Sequence, residues 1–192
     1  MVFVGLFGVG AGLGLFVGAP ALPGLGLAHA KPAGPAGTAM ARSTPTRIEI
    51  PAIGVSAPIM TVGLAGDGTI GTPPLDNSNL AAWYSGGPAP GEMGPAIIVG
   101  HVDGPHGESV FYELGKLKPG ETVTMSLADH KTAEFSIYSV EYYPKGEFPG
   151  DRVYGDYSRP GLRIITCGGA FLGGATGYAD NVVVYASLIV RG

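Results

Sequence analysis

The chain has almost no cysteine, since Cys167 is the only one in 192 residues. A lone thiol excludes the internal disulfide framework on which many exported domains rely. It leaves three roles for Cys167: inert packing, a tether to another chain, or a nucleophile. Basic residues are few as well, and the formal net charge is −4. A nucleic-acid partner is therefore not predicted.

Two further patterns are missing. The sequence has no cysteine pair and no HExxH motif, and its acidic residues are scattered. No metal site and no cofactor are predicted from such a pattern. No segment is long and periodic enough for a major helix, although residues 109–117 are compatible with about two helical turns.

The first thirty residues contain no Asp, Glu, Lys or Arg, and Met1 to Gly18 is apolar or glycine throughout. The small-x-small triplet Ala28–Ala30 is typical of the sequence before a signal-peptidase cut. We therefore predict a signal or membrane-anchor segment over residues 1–30 and a protein exported to the cell surface. The Pro/Ala/Gly/Thr-rich residues 31–46 predict a flexible linker. Whether the leader is cleaved stays open.

Strand patterns fill the rest of the chain. Short runs rich in Val and Ile alternate with clusters of Gly, Pro, Asp and Asn. Such a series predicts a mainly β fold, a barrel or a sandwich, from residue 47 onward.

Two chemistry-bearing residues come at the ends of such runs. His101 follows the apolar run PAIIVG, and Cys167 follows LRIIT. A histidine beside a cysteine adjusts the protonation of the thiol and passes a proton to a leaving amine. Taken separately, each residue is more often structural: a cysteine after β-branched residues as inert core, a histidine as a hydrogen-bonding group.

The residues around both positions resemble the sortases, in particular the actinobacterial class F group. The resemblance rests on AAWYSGGPAPGEMGPAII, VGHVDGPHGESVFYEL, LRIITCGGAF and DNVVVYA in this order, together with RIEIPAIGVSAPI and FPGDRVYG. It implies an eight-stranded β-barrel with short helices in the loops, forming a catalytic domain over residues 47–192.

The resemblance also implies a cysteine transpeptidase. Cys167 would attack a backbone carbonyl of an LPXTG-like sorting signal on secreted proteins, and His101 would protonate the departing amine. An amine of a cell-wall precursor or a pilin would then resolve the thioacyl-enzyme. Membrane attachment through the N-terminal segment agrees with this activity.

A third member of the site, an arginine, is harder to locate. Many sortases carry it about a dozen residues past the cysteine, where this chain has Ala179, Asp180 and Asn181. Arg163 is the predicted substitute because strand residues at a spacing of two share a face. Arg159 and Arg152 are weaker candidates, since both lie in predicted loops.

Two other functions compete with this prediction. L,D-transpeptidases are also exported cysteine enzymes, but ITCGGAF lacks their Ser/His-x-Gly-Cys signature and the basic residue after it. A non-catalytic exported β-domain that binds peptide or wall polymer is the second alternative. The missing arginine favours that reading, because a degenerate site binds without turnover.

Overall fold

A closed β-barrel dominates the computed structural model, which describes residues 37–174 and 177–189. The strands are β1 (Pro45–Ile50), β2 (Val55–Val62), β3 (Ala81–Tyr84), β4 (Gly94–Val99), β5 (Asp103–Gly104), β6 (Gly107–Glu108), β7 (Thr122–Leu127), β8 (Thr132–Pro144), β9 (Pro160–Gly173) and β10 (Gly177–Leu188). The helical elements are α1 (Gly150–Tyr154) and 3-10 turns at Pro51–Ile53, Leu114–Lys116 and Lys145–Glu147.

The barrel has eight strands in the order β1-β2-β3-β4-β9-β10-β8-β7 and closes through pairing of β1 with β7. Pairs β2–β3 and β4–β9 are parallel, and the other neighbours are antiparallel. Strands β5 and β6 form a separate two-stranded hairpin. The expected mainly β, eight-stranded barrel with short helices is therefore confirmed.

Each barrel strand contributes to an inner core, and several also face a second apolar layer. The inner core contains buried residues from all eight barrel strands, with Leu162 and Ile164 from β9. The second layer contains Ile165 and Cys167 from β9 and Val153 from α1. Alternate residues of a strand point to opposite faces, so β9 serves both layers. The segment that carries α1 covers the outer face.

The chain before β1 packs on the barrel wherever the structure describes it. The Met40 N–H donates to the Gly91 carbonyl over 2.8 Å, and Arg42 donates to the Glu92 carboxylate over 2.9 Å. The Arg42 guanidinium also lies over the Trp83 ring. The described part of the predicted linker, residues 37–46, is therefore held against the barrel by these polar and ring contacts.

The predicted signal or anchor segment, residues 1–30, lies outside the described residues. Among residues 37–174 and 177–189, none of the helices has the length and apolar character needed to cross a membrane.

Candidate active site

Cys167 lies within β9, opposite Asn181 of β10, and only 8% of its surface is exposed. The strand does not end at the cysteine, as the sequence suggested, but continues to Gly173. A register shift between β9 and β10 begins after Gly168, the next residue along the strand. There Gly169 has φ +74°, and a Cβ on it would lie 2.3 Å from an Asp180 carboxylate oxygen. Only glycine fits this bend beside the thiol.

A cavity of about 380 Å³ reaches the cysteine. Its wall combines the bend of β9, the facing part of β10 and the segment before β7. The lining residues are Val102, Phe111, Tyr112, Glu113, Gly115, Lys116, Tyr142, Thr166, Cys167, Gly168, Gly169, Tyr178 and Val182. The thiol is thus largely buried and yet borders a space large enough for part of a peptide.

His101 comes beside Cys167 through the parallel pairing of β4 with β9. Val99 is in register with Ile165, and the Gly100 N–H donates to the Ile165 carbonyl over 3.3 Å. The Thr166 hydroxyl donates to the Gly100 carbonyl over 2.9 Å and ties the two strand ends together. One step further in the same register, the backbone of His101 comes beside the backbone of Cys167. Adjacent strands lie about 4.8 Å apart, so the two residues are close neighbours.

The glycine before His101 permits this approach. A Cβ on Gly100 would lie 2.6 Å from the Phe111 ring, so a larger residue would push the two segments apart. The Phe111 N–H in turn donates to the His101 carbonyl over 3.0 Å. The backbone of the histidine is therefore fixed from both sides.

The His101 ring is oriented by the Pro73 carbonyl, which lies 2.8 Å from Nε2. A carbonyl oxygen only accepts, so Nε2 carries the proton in this bond. Nδ1 is then the nitrogen left to exchange a proton with a reacting group. The ring itself is not among the residues that line the cavity.

Opposing influences set the protonation of the thiol. Burial raises the pKa of Cys167, and the Asp103 carboxylate raises it further, whereas the Lys145 ammonium lowers it. The Tyr178 hydroxyl donates to Asp103, and this hydrogen bond is the main reason why the pKa of Tyr178 rises to about 12. The carboxylate that raises the pKa of the thiol is therefore itself hydrogen-bonded to Tyr178, a residue that lines the cavity.

Arg163 lies on the same face of β9 as Cys167 but in a different environment. Only 2% of it is exposed, and it is not among the lining residues of the cavity. Its guanidinium donates to the Leu162 carbonyl over 3.1 Å, lies over the Tyr185 ring and comes within 3.9 Å of Asp156. The structure thus brings Cys167 and His101 together and leaves Arg163 buried in the outer layer.

The weaker arginine candidates also lie elsewhere. Arg152, on α1, pairs with the Glu141 carboxylate, donates to the Tyr143 hydroxyl over 2.6 Å and lies over the Tyr185 ring. This arrangement fastens α1 to β8 and β10. Arg159, just before β9, is not among the lining residues of the cavity either.

The residue that the sequence analysis missed is Lys145. It follows β8 directly and is distant from Cys167 in sequence, but its ammonium lowers the pKa of the thiol through its charge and as a hydrogen-bond donor. Only the register of β8 with β10 reveals this proximity, because no local motif marks the lysine.

The comparisons with known proteins agree with this fold. A family model described as Sortase domain matches residues 48–189. No curated protein matches the chain in sequence.

Several solved structures share the fold. Sortase C1 of Streptococcus suis is 16% identical with a TM-score of 0.60, over 78% of this chain and 75% of that one. Sortase C-1 of Actinomyces oris is 20% identical with a TM-score of 0.60, over 76% and 74%. Sortase A of Corynebacterium diphtheriae is 16% identical with a TM-score of 0.61, over 79% and 63%.

Because these identities are low, the solved structures show only that the fold is shared. The family model, in contrast, matches most of the chain. The chain also has a cysteine beside a cavity and a histidine just past the end of the neighbouring strand. Together with the match, these observations lead to one conclusion. The chain belongs to the sortase family.

Proposed function

We propose that this protein is a cysteine transpeptidase that cleaves an LPXTG-type sorting signal of secreted proteins and transfers the product to an amine of a cell-wall precursor or a pilin. The observation that carries the proposal is the register of β4 with β9, which leads the backbone of His101 to that of Cys167, the residue that borders the cavity. The resemblance of the sequence motifs around both residues favours the actinobacterial class F group within the family.

The reaction follows from these two side chains. The Cys167 thiolate attacks the scissile carbonyl carbon, a C–S bond forms, and the carbonyl electron pair moves to oxygen. When this tetrahedral intermediate collapses, the C–N bond breaks, and the amine leaves with a proton from the His101 imidazolium. The product is a thioester on Cys167.

The second half returns the enzyme to its starting state. An incoming amine attacks the thioester carbonyl, and His101 takes the proton that this amine loses. The C–S bond breaks, the new amide leaves, and the thiolate is restored. Water in place of the amine gives hydrolysis. Gly168 and Gly169 place backbone N–H groups near the sulfur, where they help to hold the oxyanion.

The location of the protein is part of the proposal. A leader over residues 1–30 without charged side chains suits export and attachment to the membrane. A transpeptidase held there meets secreted substrates as they emerge and the wall precursors that accept them.

Mass spectrometry of the full chain, incubated with a library of LPXTG-like peptides, tests the proposal. We expect an adduct on Cys167 with the mass of the N-terminal peptide fragment, its release by hydroxylamine, and ligation to an added amine. Cys167→Ala is the matched control and forms none of these products. Peptide binding with no adduct and no cleavage across the library would instead support the non-catalytic β-domain.

A further inference from the structure

The resemblance to the sortases implies an arginine beside the catalytic cysteine, but this chain has no arginine at the expected place. The stretch in which many sortases carry an arginine holds Ala179, Asp180 and Asn181, and no Arg or Lys occurs between Cys167 and Arg191. Arg163 is buried away from the cavity, and Lys116, which lines it, pairs with Glu113.

The pairing of β8 with β10 directs another cation to the same place. The last partners in this antiparallel ladder are Asp180 and Pro144, preceded by Asn181 and Tyr143. Lys145 follows Pro144 and Ala179 precedes Asp180, so both residues lie just beyond this last pair. The lysine after β8 and the stretch of β10 in which an arginine was expected are therefore close in the fold.

The face of the sheet also agrees. Asn181 is paired with Tyr143 on one side and with Cys167 on the other, so these three residues share a face. Lys145, two residues after Tyr143, begins the 3-10 turn at this end of β8, next to the part of the sheet that carries the sulfur.

The electrostatics of the thiol agree with this position. Lys145 is half-buried and, like His101, is not among the lining residues of the cavity, and its ammonium lowers the pKa of Cys167 through its charge and as a hydrogen-bond donor. The Asp103 carboxylate acts in the opposite direction. A flexible four-carbon stem lets an ammonium follow a shifting negative charge.

We propose that Lys145 is the catalytic cation of this site and replaces, from the end of β8, the arginine that position 179 lacks. The proposal rests on the transpeptidase function proposed above. The ammonium first stabilises the thiolate, and it then follows the negative charge to the carbonyl oxygen when the C–S bond forms. Lys145 keeps all its protons throughout, and the proton given to the leaving amine comes from His101.

The pH dependence of thiol alkylation by iodoacetamide, a neutral reagent, tests the first role. For Lys145→Gln we expect the midpoint of the profile to rise by roughly half a unit to one unit, which slows alkylation about three- to tenfold below the midpoint. Lys145→Arg keeps the wild-type midpoint. Lys131→Gln, which removes a lysine that pairs with Asp129 in a distant hairpin, is the matched control.

Other ionisable groups near the sulfur are present in every variant and so cancel in this comparison. They are His101, Asp103, Lys116, Tyr178 and Asp180.

Peptide cleavage tests the second role. Lys145→Gln should lower kcat/KM roughly 100-fold, as the loss of an oxyanion donor does in other enzymes. Lys145→Arg should stay within about tenfold of the wild type, since the charge is kept. Adding Ala179→Arg to Lys145→Gln should restore at least about tenfold of the lost rate, because both positions lie just beyond the last pair of the β8–β10 ladder.

The outcomes separate the two proposals. A wild-type protein that forms no adduct and cleaves no peptide overturns the transpeptidase and the catalytic lysine with it. Wild-type cleavage that Lys145→Gln leaves unchanged overturns only the role of Lys145, whether or not the alkylation profile moves. A fall in cleavage with an upward shift of the profile, and recovery through Ala179→Arg, supports it.

Discussion

Two positive side chains in the region of Cys167, one on β9 and one just after β8, have opposite environments. Arg163 is buried beneath the α1 segment and engaged by a backbone carbonyl, the Tyr185 ring and Asp156. Lys145 is half-buried and acts on the Cys167 sulfur. A shared strand face therefore does not make two residues members of one site. Position along the barrel, and what covers it, decides which cation meets the thiol.

The largest effect is expected on the side of Cys167 and the cavity, from His101→Ala. Loss of the proton donor should lower the cleavage rate about 100- to 10,000-fold at neutral pH, with little change in the thermal midpoint. His106→Ala, which removes an exposed histidine of the β5–β6 hairpin region, is the matched control and should retain activity. Cleavage within threefold of the wild type in His101→Ala would move the acid to another residue.

The second largest effect is expected at the bend of β9 after Cys167. Gly169→Ala adds a Cβ at a positive φ and against Asp180, so the thiol should shift and cleavage should fall roughly tenfold to 100-fold. Gly173→Ala meets the same kind of φ but nothing within 4 Å, and it serves as the control in steady-state kinetics. Equal losses in the two variants would mean that the contact with Asp180 has no part in placing the thiol.

For Arg163, the buried cation, we predict a loss of stability rather than a loss of catalytic rate. Arg163→Gln removes the ring contact and the long-range pairing with Asp156, and we expect a cost of about 1–3 kcal/mol in the free energy of unfolding. Cleavage per folded molecule should change less than threefold. Thermal melts and kinetics on the same sample measure both. A 100-fold loss of activity at an unchanged thermal midpoint would return the catalytic role to Arg163.

The smallest effect concerns the pairing of Glu141 with Arg152, which holds α1 over the outer layer of the barrel. Burial opposes ionisation of Glu141, but its hydrogen bonds with Arg152, Tyr143 and Ser139 outweigh burial and lower its pKa from 4.5. A carboxyl with a lowered pKa stabilises the fold at neutral pH, and that stabilisation disappears as the pH falls through the folded-state value.

Glu141→Gln should therefore melt a few degrees below the wild type at pH 7, by about 2–4 °C. The gap should shrink as the pH falls below 4.5. Thermal melts at several pH values follow the difference. A gap that stays constant down to acid pH would show that the charge of Glu141 contributes nothing.

The sequence predicted much of the fold because strand formation is signalled locally. Runs of Val and Ile between Gly/Pro clusters marked most barrel strands, and the motifs around His101 and Cys167 singled out two residues that the β4–β9 register brings side by side. Composition did not reveal that the described residues of the predicted linker pack on the barrel, because the packing of Met40 and Arg42 depends on partners distant in sequence.

The cation could not be found from the sequence for the same reason. Periodicity correctly put Arg163 on the face of Cys167, but it does not show that the α1 segment covers that part of the strand. The approach of Lys145 depends on the register between β8 and β10, which is a long-range property of the sheet.

Alkylation of the Cys167 thiol in the native protein tests the account most directly. A nucleophile at the cavity should react in native buffer at a rate proportional to the concentration of iodoacetamide, while the protein stays folded. Reaction only in denaturant, or at a rate that stops rising with reagent because unfolding limits it, would show a sealed thiol and contradict the account.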